Sequence, residues 1–119
     1  MIDHIEMRTR DLAASVKFYA TVLAPLGYRQ TVDGNAKGFA AGAAPDFFLV
    51  SGEPVDLAHY AFRAVDRATV RACCELARSV NALERAPALA PNVHPNYYAG
   101  YLRDPDGRLV EFTCHEAEE

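Results

Sequence analysis

The 119-residue sequence contains no tryptophan, only three cysteines, and no apolar run that approaches the roughly 18 residues of a membrane span. The cysteines do not suit a disulfide framework, because their number is odd and Cys73 and Cys74 are adjacent. We therefore expect reduced, mostly buried thiols. The N-terminal residues MIDHIEMR have neither the charged region nor the apolar stretch of a signal peptide, so we expect a cytoplasmic protein.

The sequence also has no excess of basic over acidic residues. Lysine and arginine number 12 and aspartate and glutamate 16, which gives a net charge of −4. This balance argues against nucleic acid and anionic membranes as partners. The composition is 50% hydrophobic and 24% charged, as in globular proteins, and the length allows about one small domain.

What the sequence does contain is an internal repeat. The segment DHIEMRTRDLAASVKFY, which begins at Asp3, matches AHYAFRAVDRATVRACC, which begins at Ala58. At one constant offset His4 aligns with His59, and Asp11 aligns with Asp66. In both copies an alternating run predicts a half-buried strand, the aspartate fits a helix N-cap, and a helical pattern follows.

The remaining elements also repeat. Helices are predicted over 12–24 and 67–80 and are each followed by three strands: 28–32, 37–41 and 47–51, then 82–85, 97–103 and 108–115. The buried helix positions are predicted to be Leu12, Val16, Tyr19, Ala20 and Leu23 in the first helix, and Val70, Cys73, Cys74 and Ala77 in the second. The sequence DPDG at 104–107 predicts a turn, and 87–95 a long loop.

The pattern is thus βαβββ twice, an α+β fold of two modules, 1–54 and 55–119, with the boundary near 52–56. Each module is too small to bury its own open sheet face. We expect the modules to share that face around a cleft, either within one chain or exchanged with a second chain.

Polar residues on the alternating strands are the candidates for function. They are His4, Glu6 and Arg8 on the first strand and His59, Ala61 and Arg63 on its repeat partner. Glu111 lies in the apolar run LVEF, where a carboxylate is costly unless it is paired or binds a cation. His4, His59 and Glu111 form a two-histidine, one-carboxylate set that suits Fe, Mn, Zn or Ni. The alternative is structural, with Glu111 paired to Arg8 or Arg63.

These motifs together resemble the vicinal oxygen chelate (VOC) superfamily, which includes glyoxalase I, fosfomycin-resistance transferases, extradiol dioxygenases and bleomycin-resistance proteins. The motifs are His4, Asp11, Phe18-Tyr19, LAPLGY from Leu23, HYAF from His59, Asp66, Tyr97-Tyr98, DPDG from Asp104, and Val110-Glu111. The resemblance implies paired βαβββ modules around a U-shaped cleft and a divalent metal at His4, His59 and Glu111.

The sequence departs from the specialised members of that family. Glyoxalase I enzymes take a fourth ligand from the last strand of the first module, where this chain has aromatics in DFFLV at 46–50. Fosfomycin transferases have a threonine where this chain has Glu6. The resemblance therefore points to a glyoxalase-like branch. It leaves the reaction open among the lyase, isomerase and dioxygenase types.

Other residues are weaker candidates. Glu6 is a candidate general base beside a metal-bound substrate, or else a surface partner of Arg8. Tyr97, Tyr98 and Tyr101 with Arg103 form a polar and aromatic stripe; Tyr97, Tyr101, Arg103, Arg63 and His94 are candidates for substrate binding. We expect His115 to be solvated in an acidic tail over 115–119.

Three functions remain open at this point. The first is a metal-dependent enzyme acting on a small substrate with two neighbouring oxygens. The second is a non-catalytic binding protein of the bleomycin-resistance type, and the third is a structural dimer with a vestigial metal site. Because neither module can bury its own sheet face, we expect a homodimer. In the exchanged arrangement that the resemblance implies for short members of the family, His4 would come from one subunit and His59 with Glu111 from the other.

Overall fold

The structure, a computed structural model, describes residues 1–55 and 59–118. Three predicted positions lie outside these residues: Asp56 at the module boundary, Ala58 at the start of the second repeat, and Glu119 at the end of the acidic tail. The chain forms two compact units, which we call the first unit (1–57) and the second unit (58–119). Each contains a four-stranded mixed sheet and a helix, which confirms the predicted α+β class.

The elements of the first unit are β1 (Ile5–Thr9), α1 (Leu12–Val22), β2 (Arg29–Asp33), β3 (Lys37–Ala40) and β4 (Phe47–Ser51), with a 3₁₀ turn at Ala24–Leu26. The strand order is β1-β4-β3-β2, and only β1 and β4 run parallel. As predicted, Asp11 caps α1 by accepting the Ala14 N–H at 3.0 Å. The ring of Tyr19 packs against Phe47 at a centroid distance of 4.8 Å, which joins α1 to the sheet.

The predicted buried stripe of α1 is partly wrong. Ala20 is exposed, and the inner face is centred on Ser15, Tyr19 and Val22. A polar residue is tolerated on this face because the hydroxyls of Ser15 and Thr9 hydrogen bond to each other at 2.6 Å. The helix also ends at Val22, before the predicted position 24, where a 3₁₀ turn containing Pro25 takes over.

The elements of the second unit are β5 (Tyr60–Arg63), α2 (Arg67–Ser79), β6 (Leu83–Leu89), β7 (Tyr98–Arg103) and β8 (Leu109–Cys114). The strand order is β5-β8-β7-β6, with β5 and β8 parallel. The predicted inner face of α2 is confirmed, since Val70, Cys73, Cys74 and Ala77 are all buried. All three cysteines are free and buried, as expected.

The predicted long loop 87–95 is shorter than expected, because β6 continues to Leu89. Pro87 lies in that strand between Arg85 and Ala88, where the pairing with β7 is irregular. Proline lacks a ladder N–H, so it fits such an irregularity. Among the described residues, no helix is both long and apolar enough to cross a membrane.

The predicted turn at 104–107 is built around one buried aspartate. Oδ1 of Asp104 accepts the N–H groups of Asp106 and Arg108 at 3.0 and 2.9 Å. Gly107 has a φ of 88°, which glycine adopts without strain. The turn therefore fixes the register of β7 against β8, in which Tyr101 is directly opposite Glu111.

Candidate functional site

The candidate site lies on the sheet face of the second unit that α2 does not cover. Side chains alternate between faces along a strand, so Val110 and Phe112 face one way and Glu111 the other. Gly100, opposite Phe112, lies against Cys74 of α2, which places α2 on the Phe112 side. Glu111 is therefore on the face away from the helix, in one row with Ala61 of β5 and Tyr101 of β7.

The centre of this face is the carboxylate of Glu111. Its side chain is only 4% exposed, whereas that of His59 is 53% exposed. Oε1 lies 3.3 Å from Nε2 of His59, and Oε2 accepts a hydrogen bond from the Tyr97 hydroxyl at 2.5 Å. These contacts offset the cost of removing the carboxylate from water.

The His59 and Glu111 pair is chemically suited to a divalent metal. An imidazole nitrogen and a carboxylate oxygen are preferred ligands of such ions, and atoms 3.3 Å apart can both reach one ion at about 2.0–2.2 Å. Within residues 1–55 and 59–118, no group of three or more His, Cys, Asp or Glu side chains is placed to hold a metal. The three-ligand site of His4, His59 and Glu111 therefore stays a prediction, and two of these residues, His59 and Glu111, are in contact.

Two tyrosines flank the carboxylate. The pKa of Tyr97 is raised, first because burial disfavours the phenolate and then because its hydroxyl donates to Glu111. The pKa of Tyr101 is also raised, by burial first and then by the charge of Glu111, although Arg85 opposes this. The Arg85 guanidinium lies 5.0 Å from the centroid of the Tyr101 ring. Both tyrosines therefore keep their protons at neutral pH and remain hydrogen-bond donors.

His94 and His115 lie beside Tyr97. His115 is half-buried, so the prediction that it is solvated is wrong. Its ring contacts those of His94 and Tyr97 at centroid distances of 5.0 and 5.1 Å. The signal that would have found it is the alternation of β8, which places residue 115 on the same face as Glu111.

The first unit has an aromatic residue where the second has its carboxylate. Glu6 pairs with Phe48 in the β1/β4 register, just as Ala61 pairs with Glu111 in β5/β8. Phe48 is thus the repeat equivalent of Glu111. His4 is exposed, with Nδ1 2.6 Å from Oδ1 of Asp3, and its ring meets Phe48 edge-on at 5.5 Å.

The other predicted residues are more scattered. Glu6 is exposed on β1 and Arg63 is exposed on β5. The Arg103 guanidinium is bound to the Glu84 carboxylate and to the Gly107 carbonyl. Tyr98 is on the opposite face from Tyr97 and Tyr101, where the guanidinium groups of Arg67 and Arg71 lie 5.3 and 5.9 Å from its ring centroid. The predicted stripe is therefore split between two faces of the sheet.

Comparison with known proteins extends over nearly the whole chain. The sequence model of the Glyoxalase/Bleomycin resistance protein/Dioxygenase superfamily matches residues 1–112. A glyoxalase/bleomycin resistance protein from Albidiferax ferrireducens has a similar structure, with a TM-score of 0.77, 22% identity, and coverage of 95% of this chain and 97% of that one. A lactoylglutathione lyase from Agrobacterium tumefaciens has a TM-score of 0.72 and 23% identity, with coverage of 96% of this chain and 92% of that one. A glyoxalase/bleomycin resistance protein/dioxygenase family enzyme from Burkholderia phytofirmans has a TM-score of 0.74 and 17% identity, with coverage of 97% of this chain and 98% of that one. No curated protein matches the sequence.

Proposed function

Because the chain belongs to the glyoxalase/bleomycin resistance protein/dioxygenase superfamily, we propose that it is a divalent-metal-dependent enzyme. Its substrate is a small molecule with two neighbouring oxygen atoms, and its reaction is of the lyase, isomerase or dioxygenase type. The observation that carries this proposal is the buried Glu111 carboxylate 3.3 Å from Nε2 of the half-exposed His59. A buried carboxylate next to an accessible imidazole is a ready pair of metal ligands.

The proposed ligands are His59, Glu111 and His4, and the proposed ion is Fe, Mn, Zn or Ni. His4 is included because it is the repeat equivalent of His59, and it is exposed at the start of β1. It is supplied either by the same chain or by a second copy in a homodimer. When bound, the metal supplies a Lewis acid that polarises the substrate oxygens.

The protein's own side chains supply the rest of the proposed chemistry. Glu6 is exposed on the strand that follows His4, where its carboxylate is available to take a proton from the substrate. Tyr101, which lies opposite Glu111 in the β7/β8 register, is the proposed hydrogen-bond donor to substrate oxygens. Arg63, His94 and Tyr97 are the further proposed contacts. Arg103 is the weakest substrate contact of the set, because Glu84 already neutralises it.

Metal analysis of protein purified without a histidine tag tests the proposal. The wild type is expected to bind one equivalent of metal per site, while Glu111→Gln and His59→Ala lose it. The matched control is Glu84→Gln, which removes a half-exposed carboxylate from the same sheet and is expected to keep the metal. Equal metal content in Glu111→Gln and wild type, or none in either, would contradict the proposal.

One observation favours a second candidate function, a non-catalytic binding protein. Phe48 is half-buried on the first unit's sheet at the position equivalent to Glu111, so that sheet offers an aromatic surface in place of a ligand. Aromatic faces bind planar and cationic ligands. Fluorescence titration with the planar cation proflavine tests this: tight binding by metal-free wild type that Phe48→Ala abolishes would favour the second function over the first.

A further inference from the structure

The Tyr97 hydroxyl is hydrogen bonded to a candidate metal ligand, and its ring packs against those of His94 and His115, which also contact each other. We propose that Tyr97 is a positioning residue: its hydroxyl fixes the orientation of the Glu111 carboxylate, and His94 and His115 hold its ring in place. We call His94, Tyr97 and His115 the aromatic clamp. Its effect on metal binding rests on the proposed function, whereas its geometry does not.

The first step concerns the two carboxylate oxygens of Glu111. Tyr97 donates to Oε2, and Oε1 is the oxygen that lies 3.3 Å from Nε2 of His59. The hydroxyl thus occupies one oxygen and leaves the other beside the imidazole. Hydrogen bonds of this kind to a ligand carboxylate fix which oxygen a metal meets and in which direction.

The second step concerns how Tyr97 is held. Its N–H donates to the His94 carbonyl at 3.1 Å, and its carbonyl accepts the Ala90 N–H at 2.8 Å, which closes the loop that precedes β7. The rings of His94 and His115 meet the Tyr97 ring edge-on, at centroid distances of 5.5 and 5.1 Å. Both backbone and ring are therefore restrained, so the hydroxyl has little freedom to leave Glu111.

The third step is that the histidines are ordered by a directed chain of hydrogen bonds. Nδ1 of His94 accepts the Asn96 N–H at 3.2 Å. A neutral His94 must then carry its proton on Nε2, which lies 3.3 Å from Nδ1 of His115. His115 therefore accepts at Nδ1. The clamp requires one tautomer at His94, and this requirement is open to direct measurement.

Nitrogen-15 NMR of the histidine rings tests the clamp without any metal. The chain has four histidines, and the variants His94→Gln and His115→Gln assign two of them. At a pH high enough that the ring resonances no longer change with pH, His94 is expected to carry its proton on Nε2 and His115 to have an unprotonated Nδ1. A proton on Nδ1 of His94 would overturn the clamp.

The metal-free protein also tests the hydroxyl. Tyr97→Phe keeps the ring in the clamp and removes only the donor to Glu111. The carboxyl carbon-13 resonance of Glu111 is expected to shift in this variant and to stay in place in Tyr98→Phe, the matched control on the opposite face of the sheet. An unshifted resonance in Tyr97→Phe would overturn the positioning role even if the protein binds no metal.

Competition titration with Co²⁺ and a chelator tests the consequence for the metal. Tyr97→Phe is expected to weaken binding by about 10- to 100-fold, the usual loss for such a partner of a ligand, and to change the visible Co²⁺ spectrum. Tyr98→Phe is expected to bind as wild type does. Unchanged affinity and spectrum in Tyr97→Phe, with a wild type that binds Co²⁺, would overturn the positioning role and leave the proposed function standing.

A double-mutant cycle shows whether the histidines act through the hydroxyl. His115→Gln is expected to weaken Co²⁺ binding in the wild type but not in the Tyr97→Phe background. Equal losses in both backgrounds would show that His115 acts independently and would overturn the clamp. A second equivalent of Co²⁺ that His115→Gln removes would also overturn it, because the imidazoles would then be ligands themselves.

Discussion

Replacement of Glu111 by glutamine should separate a metal ligand from a structural carboxylate, because the two roles predict different dependence on metal. Glutamine has the same shape, and its amide oxygen can still accept the Tyr97 hydrogen bond. The substitution removes a charge from a side chain that is 4% exposed, and His59 remains 53% exposed and hydrated. No buried charge is left without a partner in the variant.

The expected magnitudes follow from these contacts. In the metal-free protein the loss of the carboxylate's contact with His59 is offset because a charge no longer has to be buried, so the free energy of unfolding should change by less than about 1 kcal/mol. With metal at about 100 times its dissociation constant, the wild type gains about 2.7 kcal/mol and the variant gains nothing. For a domain of this length that gain is worth about 10 °C in Tm.

Thermal unfolding of the wild type, Glu111→Gln and the control Glu84→Gln, each with a chelator and with added metal, measures the effect. Metal should raise the Tm of the wild type and of Glu84→Gln, and leave Glu111→Gln unchanged. A Tm difference between wild type and Glu111→Gln that is the same with chelator and with metal would refute the reasoning, because Glu111 would then be a structural residue only.

Three further predictions concern the scaffold. Gly100→Ala should lower the free energy of unfolding by about 1–3 kcal/mol in urea titrations, because a Cβ would overlap Sγ of Cys74, and Cys74→Ala in the same chain should recover part of the loss. Asp11→Ala removes the acceptor of the Ala14 N–H and should cost about 1 kcal/mol, whereas Asp11→Asn should cost less. Burial raises the pKa of Cys73 from 9.0 to about 12. The thiol therefore loses its proton at a lower pH in the unfolded chain than in the folded one, so its contribution to the free energy of unfolding is complete below pH 9.0 and declines above it. In Cys73→Ala the urea midpoint should therefore fall less steeply between about pH 9 and about pH 11.

The local elements were predictable because their signals are local. Flanking turn residues predicted a strand over 47–51, and β4 is Phe47–Ser51. The aspartate at each repeat is the N-cap, since a cap depends on one side chain and the first helical turn. The prediction of the inner face of α1 failed because that face depends on a tertiary contact. Ser15, and not Ala20, lies there because its hydroxyl forms a hydrogen bond with that of Thr9.

The sequence supplied candidate residues for the site, and the structure shows which of them are in contact. The repeat singled out His59, and the apolar setting of Glu111 marked it as a residue in need of a partner. The structure places His59, expected as a fellow metal ligand, and Tyr97 against that carboxylate. His115 was missed because it was assigned to the acidic tail, although the alternation of β8 continues to it and puts it on the face of Glu111.

The sequence by itself determined the βαβββ repeat, the helix caps and the buried face of α2, because periodicity, capping and turn chemistry act over a few neighbouring residues. Its motifs carried the resemblance to the family, which the match over residues 1–112 confirms. Only the tertiary structure decided which side chains meet. The register fixed by the turn at Asp104 sets Tyr101 opposite Glu111, and the closed loop that ends at Tyr97 brings a second hydroxyl to the same carboxylate. Pairing across strands depends on distances between segments far apart in the chain, and those distances are set by the packing of the whole unit.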